Sequence, residues 1–423
     1  MLKSVFFFPG VGSQYVGMSK TLYQEFPIFR ETLEEAGDLL KINIADICFL
    51  KENKKELDRL ENTQSILLAM STASFRVFEQ EIGMNADYCM GHSLGEYSAL
   101  CSAGVFSFKE AVQLVRRRGE IVSETVSTLG GTMMWVINLD VEIVEEICTA
   151  FSQEAQETGR GVYISAYDSP RQSSISGHTK VLMKAAKKLE KAGAIVYPLK
   201  FSGPFHSPLM HEAQQQMKNL LETMAFQEPK YKIIANHNAQ PYQNAGSVPE
   251  NLSRQLVSPI RWRHSIQYLL QHDVRIAVEM GPKNVLKFLT KKNTDKIHTY
   301  TTDSLKDLEL LGKELLVHES DYLPMMGKCL GAAVGTKNHC FENETYRERV
   351  IKPYRKIQSL YNKWKTNPQA PTKEHLKETA TTLKAILNAK QVPLEEQELW
   401  FKRIFGNKVS HDFLEGTPHR DFI

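Results

Sequence analysis

The sequence predicts an α/β protein: a large domain of alternating strands and helices, a small α+β insert, and a C-terminal helical extension. Three observations predict it. A short apolar strand, Tyr88–Met90, runs into the turn Gly91-His92-Ser93-Leu94-Gly95 and then into a helix-forming stretch, Leu94–Ala103. Between residues 128 and 197, strand and helix signals follow the order β-α-β-β-α-β. Past residue 305 strand signals stop, and lysine and glutamate become frequent. These observations set the boundaries at 1–127 and 198–305 for the large domain, 128–197 for the insert and 306–423 for the extension.

Taken in order, Ser4–Phe8 (SVFFF) reads as a strand buried on both faces, stopped by Pro9-Gly10. The loop PGVGSQ and a helical stretch follow. Residues 53–82 read as helix, with Leu60, Ile66, Leu68 and Phe75 between polar positions. After the Ser93 turn, Leu94–Ala103 and Phe108–Thr125 are helices. The insert reads as strand Met133–Asn138, helix Val141–Glu157, strands Val162–Ala166 and Ser173–Ser176, helix His178–Ala192 and strand Ala194–Pro198, an order that fits a ferredoxin-like unit. The large domain resumes with GPFHSPLM, a helix at 209–224, a strand Ile233–Ala235, a helix near 250–271 and a strand Ile276–Glu279. In the extension, Glu342–Lys365 is a helix interrupted by Pro353. The linker TNPQAPT leads to a helix Lys373–Lys390, and another helix begins after Pro393.

Composition excludes several function classes. A hydrophobic content of 42% and a charged content of 24% are ordinary for a soluble globular chain, and 423 residues suffice for two or three domains. A net charge of +3 argues for neither nucleic acid nor membrane as partner. Six scattered cysteines without a C-x-x-C pair argue against a zinc site or a disulfide framework, and no metal-ligand cluster stands out. No apolar run approaches the roughly 20 residues a bilayer requires, and the apolar start is too short for a secretory signal. The expectation is a cytoplasmic protein.

Strand, turn and helix around G-x-S-x-G is the context that exposes a nucleophilic serine, although the pattern also arises by chance in a glycine-rich bend. A serine hydroxyl needs a base, and the helix after it aims its positive end at a developing oxyanion. Of the 13 histidines, His92 adjoins Ser93 and leaves the turn in another direction, which makes it structural. His206, in FSGPFHSPLM, sits between a strand-like segment and a helix, where a catalytic group is held rigidly; a satisfied loop histidine is the other reading. The loop Gly10-Val11-Gly12-Ser13-Gln14 fits neither G-x-G-x-x-G nor G-K-[ST], but can offer an oxyanion donor. Arg116, Arg117 and Arg118 are spaced about 100° apart on a helix, so one can turn inward while two stay solvated. A buried guanidinium calls for an anion, and its fork suits a carboxylate.

FFFPGVGSQYVGM, GHSLGEYSAL, LVRRRGEIV, GPFHSPLM, RQLVSPIRW and EMGPKNVL occur in that order across residues 1–290. The set resembles the malonyl-CoA:acyl-carrier-protein transacylases of fatty-acid and polyketide synthesis. The resemblance implies an α/β-hydrolase-like core with a ferredoxin-like insert and a Ser-His dyad. It makes Ser93 the nucleophile and His206 the general base and then acid, with the carbonyl of Gln255 orienting the imidazole. It gives the oxyanion hole to the backbone N–H groups of Val11 and Leu94, and the malonyl carboxylate to Arg118. Phe205, before the histidine, resembles the aromatic filter against an α-methyl branch in polyketide relatives. The implied substrates are malonyl-CoA and a phosphopantetheinylated carrier protein or carrier domain, with no bound cofactor or metal.

Three departures stand out. The loop reads GVGSQ where the family usually has GQGSQ, which keeps the backbone donor and loses the glutamine side chain. Val122 stands where many relatives have methionine, which widens the acyl pocket. Ala166 and Asp168 stand where asparagines are common. The rival reading of the same fold is a carrier-thioester hydrolase that strips unwanted acyl groups, against which Arg118 argues. The extension fits a discrete, trans-acting enzyme serving a polyketide or lipopeptide synthase, as a docking element for a carrier or as a cap on the large domain.

Overall fold

A computed structural model describes residues 3–154, 160–199, 203–314, 319–340, 342–367 and 369–414. The chain divides into two compact units. One runs to Leu310 apart from Glu79–Met84; the other holds Glu79–Met84 and the described residues from Leu311 onward.

Among its described residues the first unit contains nine strands: β1 (Lys3–Phe8), β2 (Tyr88–Gly91), β3 (Gly131–Ile137), β4 (Val162–Ser169), β5 (Gln172–His178), β6 (Ile195–Pro198), β7 (Lys232–Ile233), β8 (Val274–Glu279) and β9 (His298–Thr301). Five form a sheet in the order β7-β2-β1-β8-β9, with every pairing parallel. The aromatic run explains the position of β1 at its centre. Val5, Phe6, Phe7 and Phe8 are wholly buried, because a parallel strand is covered on both faces and needs apolar side chains on both. Phe6 meets Phe75 and Phe78 edge to face, and Phe7 meets Trp262. Each buried phenylalanine contributes about 1.5–3 kcal/mol.

The other four strands form an antiparallel sheet in the order β4-β5-β3-β6. Helices Val141–Glu154 and Thr179–Lys191 supply Val144, Ile147, Leu182, Ala185 and Leu189 to its core. The helix expected over Val141–Glu157 is present over Val141–Glu154; residues 155–159 lie outside the described residues. An isolated bridge joins Ala166 to Ile260, which ties this sheet to the larger domain within the same unit.

Three local readings differ from the structure. The helix expected near 250–271 is two helices, Val248–Val257 and Trp262–Gln271, because Ser258 is extended before Pro259 and a proline cannot continue the ladder. Strand β9 and helix Val285–Asn293 were not anticipated, since His298–Thr301 has only four residues and no alternation to mark it. Helices Leu305–Glu314 and Glu319–Gly335 fall in the stretch read only as part of the helical extension, where no individual helix is placed from the sequence.

The second unit packs helices Glu319–Gly335, Lys352–Lys365, Lys373–Ala389 and Leu394–Leu414 around its own core, which includes Met326, Cys329, Ile357, Leu383, Ile386 and Phe401. Pro353 lies in the first turn of its helix, where its missing N–H is harmless, and the turn before it, Arg347–Ile351, is a π-helix. Lys390 is buried and donates to the carbonyls of Ala333 and Thr336 at 2.8 and 2.7 Å, capping the end of helix Glu319–Gly335. Among the described residues, no helix is long and apolar enough to cross a membrane. Among the same residues, no group of three or more His, Cys, Asp or Glu side chains is placed to hold a metal.

Candidate active site

β2 ends at Gly91, and Ser93 follows in a conformation that L-residues avoid, φ 53° and ψ −106°. Both glycines of the motif are sterically required. A Cβ on Gly91 would lie 1.9 Å from the Gly95 carbonyl carbon, and one on Gly95 would lie 1.9 Å from the Phe8 oxygen. The strain is held by buried polar groups. The Ser93 N–H donates to Asn236 Oδ1 at 2.8 Å, and Asn236 Nδ2 donates to the Gly91 carbonyl at 2.7 Å. The Ser93 carbonyl accepts from Gln255 Nε2 at 2.9 Å. The Leu94 N–H, first in the helix Leu94–Ser102, has no intrahelical acceptor and no partner among the described residues.

Ser93 Oγ and His206 Nε2 are 2.8 Å apart, although 113 residues separate them. His206 also has a positive φ, 56°, and its loop is anchored on both sides. Ser176 of β5 donates to the Phe205 carbonyl at 2.8 Å, and Ser207 donates to the Pro204 carbonyl at 2.6 Å. His206 Nδ1 lies 2.8 Å from the Gln255 carbonyl. That carbonyl is free because helix Val248–Val257 stops short of Pro259, and the last four carbonyls of a helix have no partner within it. A carbonyl can only accept, so Nδ1 carries the hydrogen and the lone pair of Nε2 faces the serine. Burial pushes the imidazole down to about 3; the Gln255 carbonyl pulls it back, and Arg118 and His92 depress it further.

Of the three consecutive arginines, Arg118 is the one turned inward. Arg116 and Arg117 bind Glu120 on the surface. Helix Phe108–Leu129 begins in a Ser107/Glu110 capping box and approaches helix Leu60–Glu81 closely at Gly119, where a Cβ would lie 2.6 Å from Glu61 Cα. That approach delivers Arg118 to Gln64 Oε1 at 2.6 Å. Its other terminal nitrogen lies 3.3 Å from Gln255 Oε1 and 3.4 Å from Ser93 Oγ, and the guanidinium sits 5.2 Å over Tyr97. Arg118 is 5% exposed, its Nε has no partner, and no ion pair engages it among the described residues. Glu96, wholly buried below the turn, accepts from Tyr242 at 2.7 Å and Gln255 Nε2 at 2.6 Å. Burial raises its carboxyl to about 7 against those donors.

These groups open onto a cavity of about 690 Å³. Val11, Val122 and Phe205 line it, as do Ser93, Arg118 and His206, so seven of the eight side-chain or backbone positions singled out in the sequence converge here with Gln255 against the imidazole; Leu94, the eighth, is buried behind Ser93. His92 also lines the cavity but is turned to Asp168, 3.3 Å away. Sequence reasoning missed Gln64, Glu96, Tyr97, Asn236 and Tyr242. Only Glu96 had a local signal, as an acid in a helix's first turn that is otherwise apolar.

A parallel α/β sheet, a strained serine at the end of an interior strand and a histidine at hydrogen-bond distance describe an enzyme built for nucleophilic chemistry. Residues 5–315 match the acyl transferase domain family, and the chain belongs to that family. It is 35% identical over 395 residues to a malonyl CoA-acyl carrier protein transacylase of Bacillus subtilis, covering 93% of this chain and 98% of the relative. A second protein of that name, from Bacillus subtilis strain 168, is 35% identical over 73% of this chain and 96% of its own. Among solved structures, a malonyl-transacylase in complex with its type II PKS acyl-carrier protein superposes with a TM-score of 0.70 at 32% identity, covering 74% of this chain and 99% of that one. The acyl-carrier-protein-S-malonyltransferase of Bartonella henselae gives 0.69 at 34% identity, covering 75% and 100%.

Proposed function

We propose that the chain transfers the malonyl group of malonyl-CoA to the phosphopantetheine thiol of an acyl carrier protein through a malonyl ester on Ser93. The observation that carries this reading is the buried Arg118 guanidinium, without an ion-pair partner among the described residues, 3.4 Å from the hydroxyl that is paired to His206. A buried cation of this kind is stabilised by an incoming carboxylate, and malonyl thioesters carry one beside the reacting carbonyl.

Ser93 Oγ attacks the thioester carbon while His206 Nε2 takes its proton. The Val11 and Leu94 N–H groups receive the oxyanion, an interaction worth about 3–4 kcal/mol per donor. The carbon–sulfur bond breaks and the CoA sulfur takes the proton from His206. The carrier thiol then attacks the acyl-serine, again losing its proton to His206, and Ser93 regains a proton as the malonyl group leaves on the carrier. His206 is held neutral in the resting site, ready to accept. Substrate carboxylate on Arg118 cancels one of the charges that depress the imidazole, so binding raises its basicity when it is needed. Val122 and Phe205 shape the acyl end of the cavity.

The β-α-β-β-α-β order with the sheet order β4-β5-β3-β6 supports a ferredoxin-like insert at 128–197 in an α/β-hydrolase-like core, with residues 306–423 as a helical extension. All six cysteines are unpaired and buried, which supports a cytoplasmic setting. The reaction as written uses no metal or bound cofactor. The Bacillus subtilis relative matches 93% of the chain, so the match reaches into the extension; the extension is assigned to a discrete enzyme serving a polyketide or lipopeptide synthase.

The test is intact-mass analysis of the protein with malonyl-CoA, followed by a phosphopantetheinylated carrier, with Ser93→Ala alongside. A malonyl adduct that needs Ser93 and moves to the carrier is expected. An adduct lost to water, with the carrier left bare, would make the protein a thioester hydrolase.

A further inference from the structure

The loop that carries Val11 is tied to a residue far along the chain whose own backbone is strained. Lys283 follows β8 in the turn Gly281-Pro282-Lys283 and has φ 65°, a left-handed conformation that glycine adopts without penalty and a lysine does not. Its ammonium donates to the Gly12 carbonyl at 2.9 Å and lies 5.9 Å from the Tyr15 ring. Its backbone N–H donates to Asp303 Oδ2 at 2.8 Å. The same carboxylate accepts from the Tyr15 hydroxyl at 2.8 Å and the Ser19 hydroxyl at 3.1 Å. A closed ring results: from Gly12 along the chain to Tyr15, across to Asp303, to Lys283, and back to Gly12.

This loop needs such a tie. It holds two glycines, Gly12 at φ 110°, and glycine-rich backbone has little stiffness of its own. Local bonds fix part of it. The Gly12 N–H donates to Gln14 Oε1 at 2.7 Å, and the Gly10 carbonyl accepts from Ser13 N–H and Oγ at 3.3 and 2.8 Å. Among the described residues the Val11 N–H has no partner. Position 11 is valine, so no polar side chain there can anchor the loop. An oxyanion donor contributes only if it is in place before the charge develops. Strain in a non-glycine residue persists where the surroundings impose it, and such residues concentrate near functional sites.

We propose that Lys283 is a positioning residue for acyl transfer: its ammonium fixes the Gly12 carbonyl and so holds the neighbouring Val11 N–H toward the cavity. The inference rests on the acyl-serine reading and on Val11 as oxyanion donor.

Lys283→Gly, Lys283→Met and Lys283→Arg, with Ser93→Ala as control, separate the possibilities. Steady-state malonyl transfer and thermal unfolding are measured for each. Lys283→Gly removes the tether and the backbone strain together. Its kcat falls about ten-fold at unchanged KM for malonyl-CoA, less than the loss of a whole donor, while its Tm holds or rises. Lys283→Met loses the same rate, and Lys283→Arg keeps most of it. Wild-type kcat in Lys283→Gly, with Ser93→Ala inactive, overturns the inference and leaves the acyl-serine reading standing. Transfer that survives in Ser93→Ala overturns that reading itself. Rates that follow Tm across the three variants make Lys283 a stability residue and also overturn the proposal.

Discussion

The parallel and antiparallel sheets meet the same cavity with opposite characters. β1 is buried on both faces, and the elbow it supports has room for no added carbon at Gly91 or Gly95. β3 and β6 are half solvated: Trp135, Ile195 and Tyr197 are 39%, 44% and 52% exposed, and Trp135 stands opposite Tyr197 across the strands. The difference is physical. A strained backbone persists only where packing and buried hydrogen bonds over-determine it, and the parallel side supplies both through Asn236, Gln255 and Glu96. The antiparallel side supplies surface that can adjust. Substitutions on the parallel side are therefore expected to stop folding or chemistry, and those on the antiparallel side to alter how substrate is held.

Gly95→Ala tests this most severely. Its Cβ would enter the Phe8 carbonyl, so loss of more than about 4 kcal/mol and little soluble protein are expected, read by thermal unfolding and yield. Ser93→Ala and His206→Ala come next. Each is expected to lower transfer by about 10³-fold or more with the fold intact, and the double variant to be little worse than either single one. A substantial rate in His206→Ala would break the pairing assigned to the elbow.

Arg118→Ala sharpens the comparison from substrate to substrate. Malonyl loading is expected to fall about 10²-fold while acetyl loading changes little, so the preference between them collapses in a competition followed by intact mass. Glu96 gives a pH signature. Its carboxyl is raised from the usual 4.5 to about 7, so between those values the folded chain holds a proton that the unfolded chain has released. The associated stability is complete below about pH 4.5 and is lost as pH rises through 7, roughly 1–3 kcal/mol in all. Glu96→Gln flattens that decline in pH-dependent denaturation, leaving the share of Glu279, which burial raises to about 8. The smallest effect falls on the antiparallel side. Trp135→Ala is expected to raise KM for malonyl-CoA a few-fold and to leave kcat within about two-fold; a collapse of kcat would erase the distinction between the two sheets.

What the sequence made legible follows the same division. The elbow was readable because strand, turn and helix are contiguous, and the β-α-β-β-α-β order because its elements follow one another. Distances between remote segments were not. Gln64 reaches Arg118, and Asn236 reaches Ser93, only because helices and loops 54 and 143 residues apart pack together. The break at Ser258-Pro259 was misread as continuous helix, although that break is what frees the Gln255 carbonyl for His206; the resemblance supplied the contact before its cause was visible. Which of three adjacent arginines turns inward depended on Gly119, whose missing side chain sets how closely two helices approach. Lys283 lies inside the quoted EMGPKNVL stretch, but nothing there marks its contact, since its partner carbonyl lies 271 residues away.

Arg118 has a consequence for the reaction cycle as a whole. Among the described residues no carboxylate lies within ion-pair distance of its buried guanidinium, so the resting site offers that charge no direct counter-ion. On the proposed reading the malonyl ester completes it with a counter-ion that is covalently attached and cannot dissociate. The intermediate would then be the sturdiest species in the cycle, more resistant to heat and proteolysis than the enzyme before loading or after delivery. On that same reading the enzyme would wait in its loaded form, and the arrival of a carrier, rather than the supply of thioester, would set the moment of transfer.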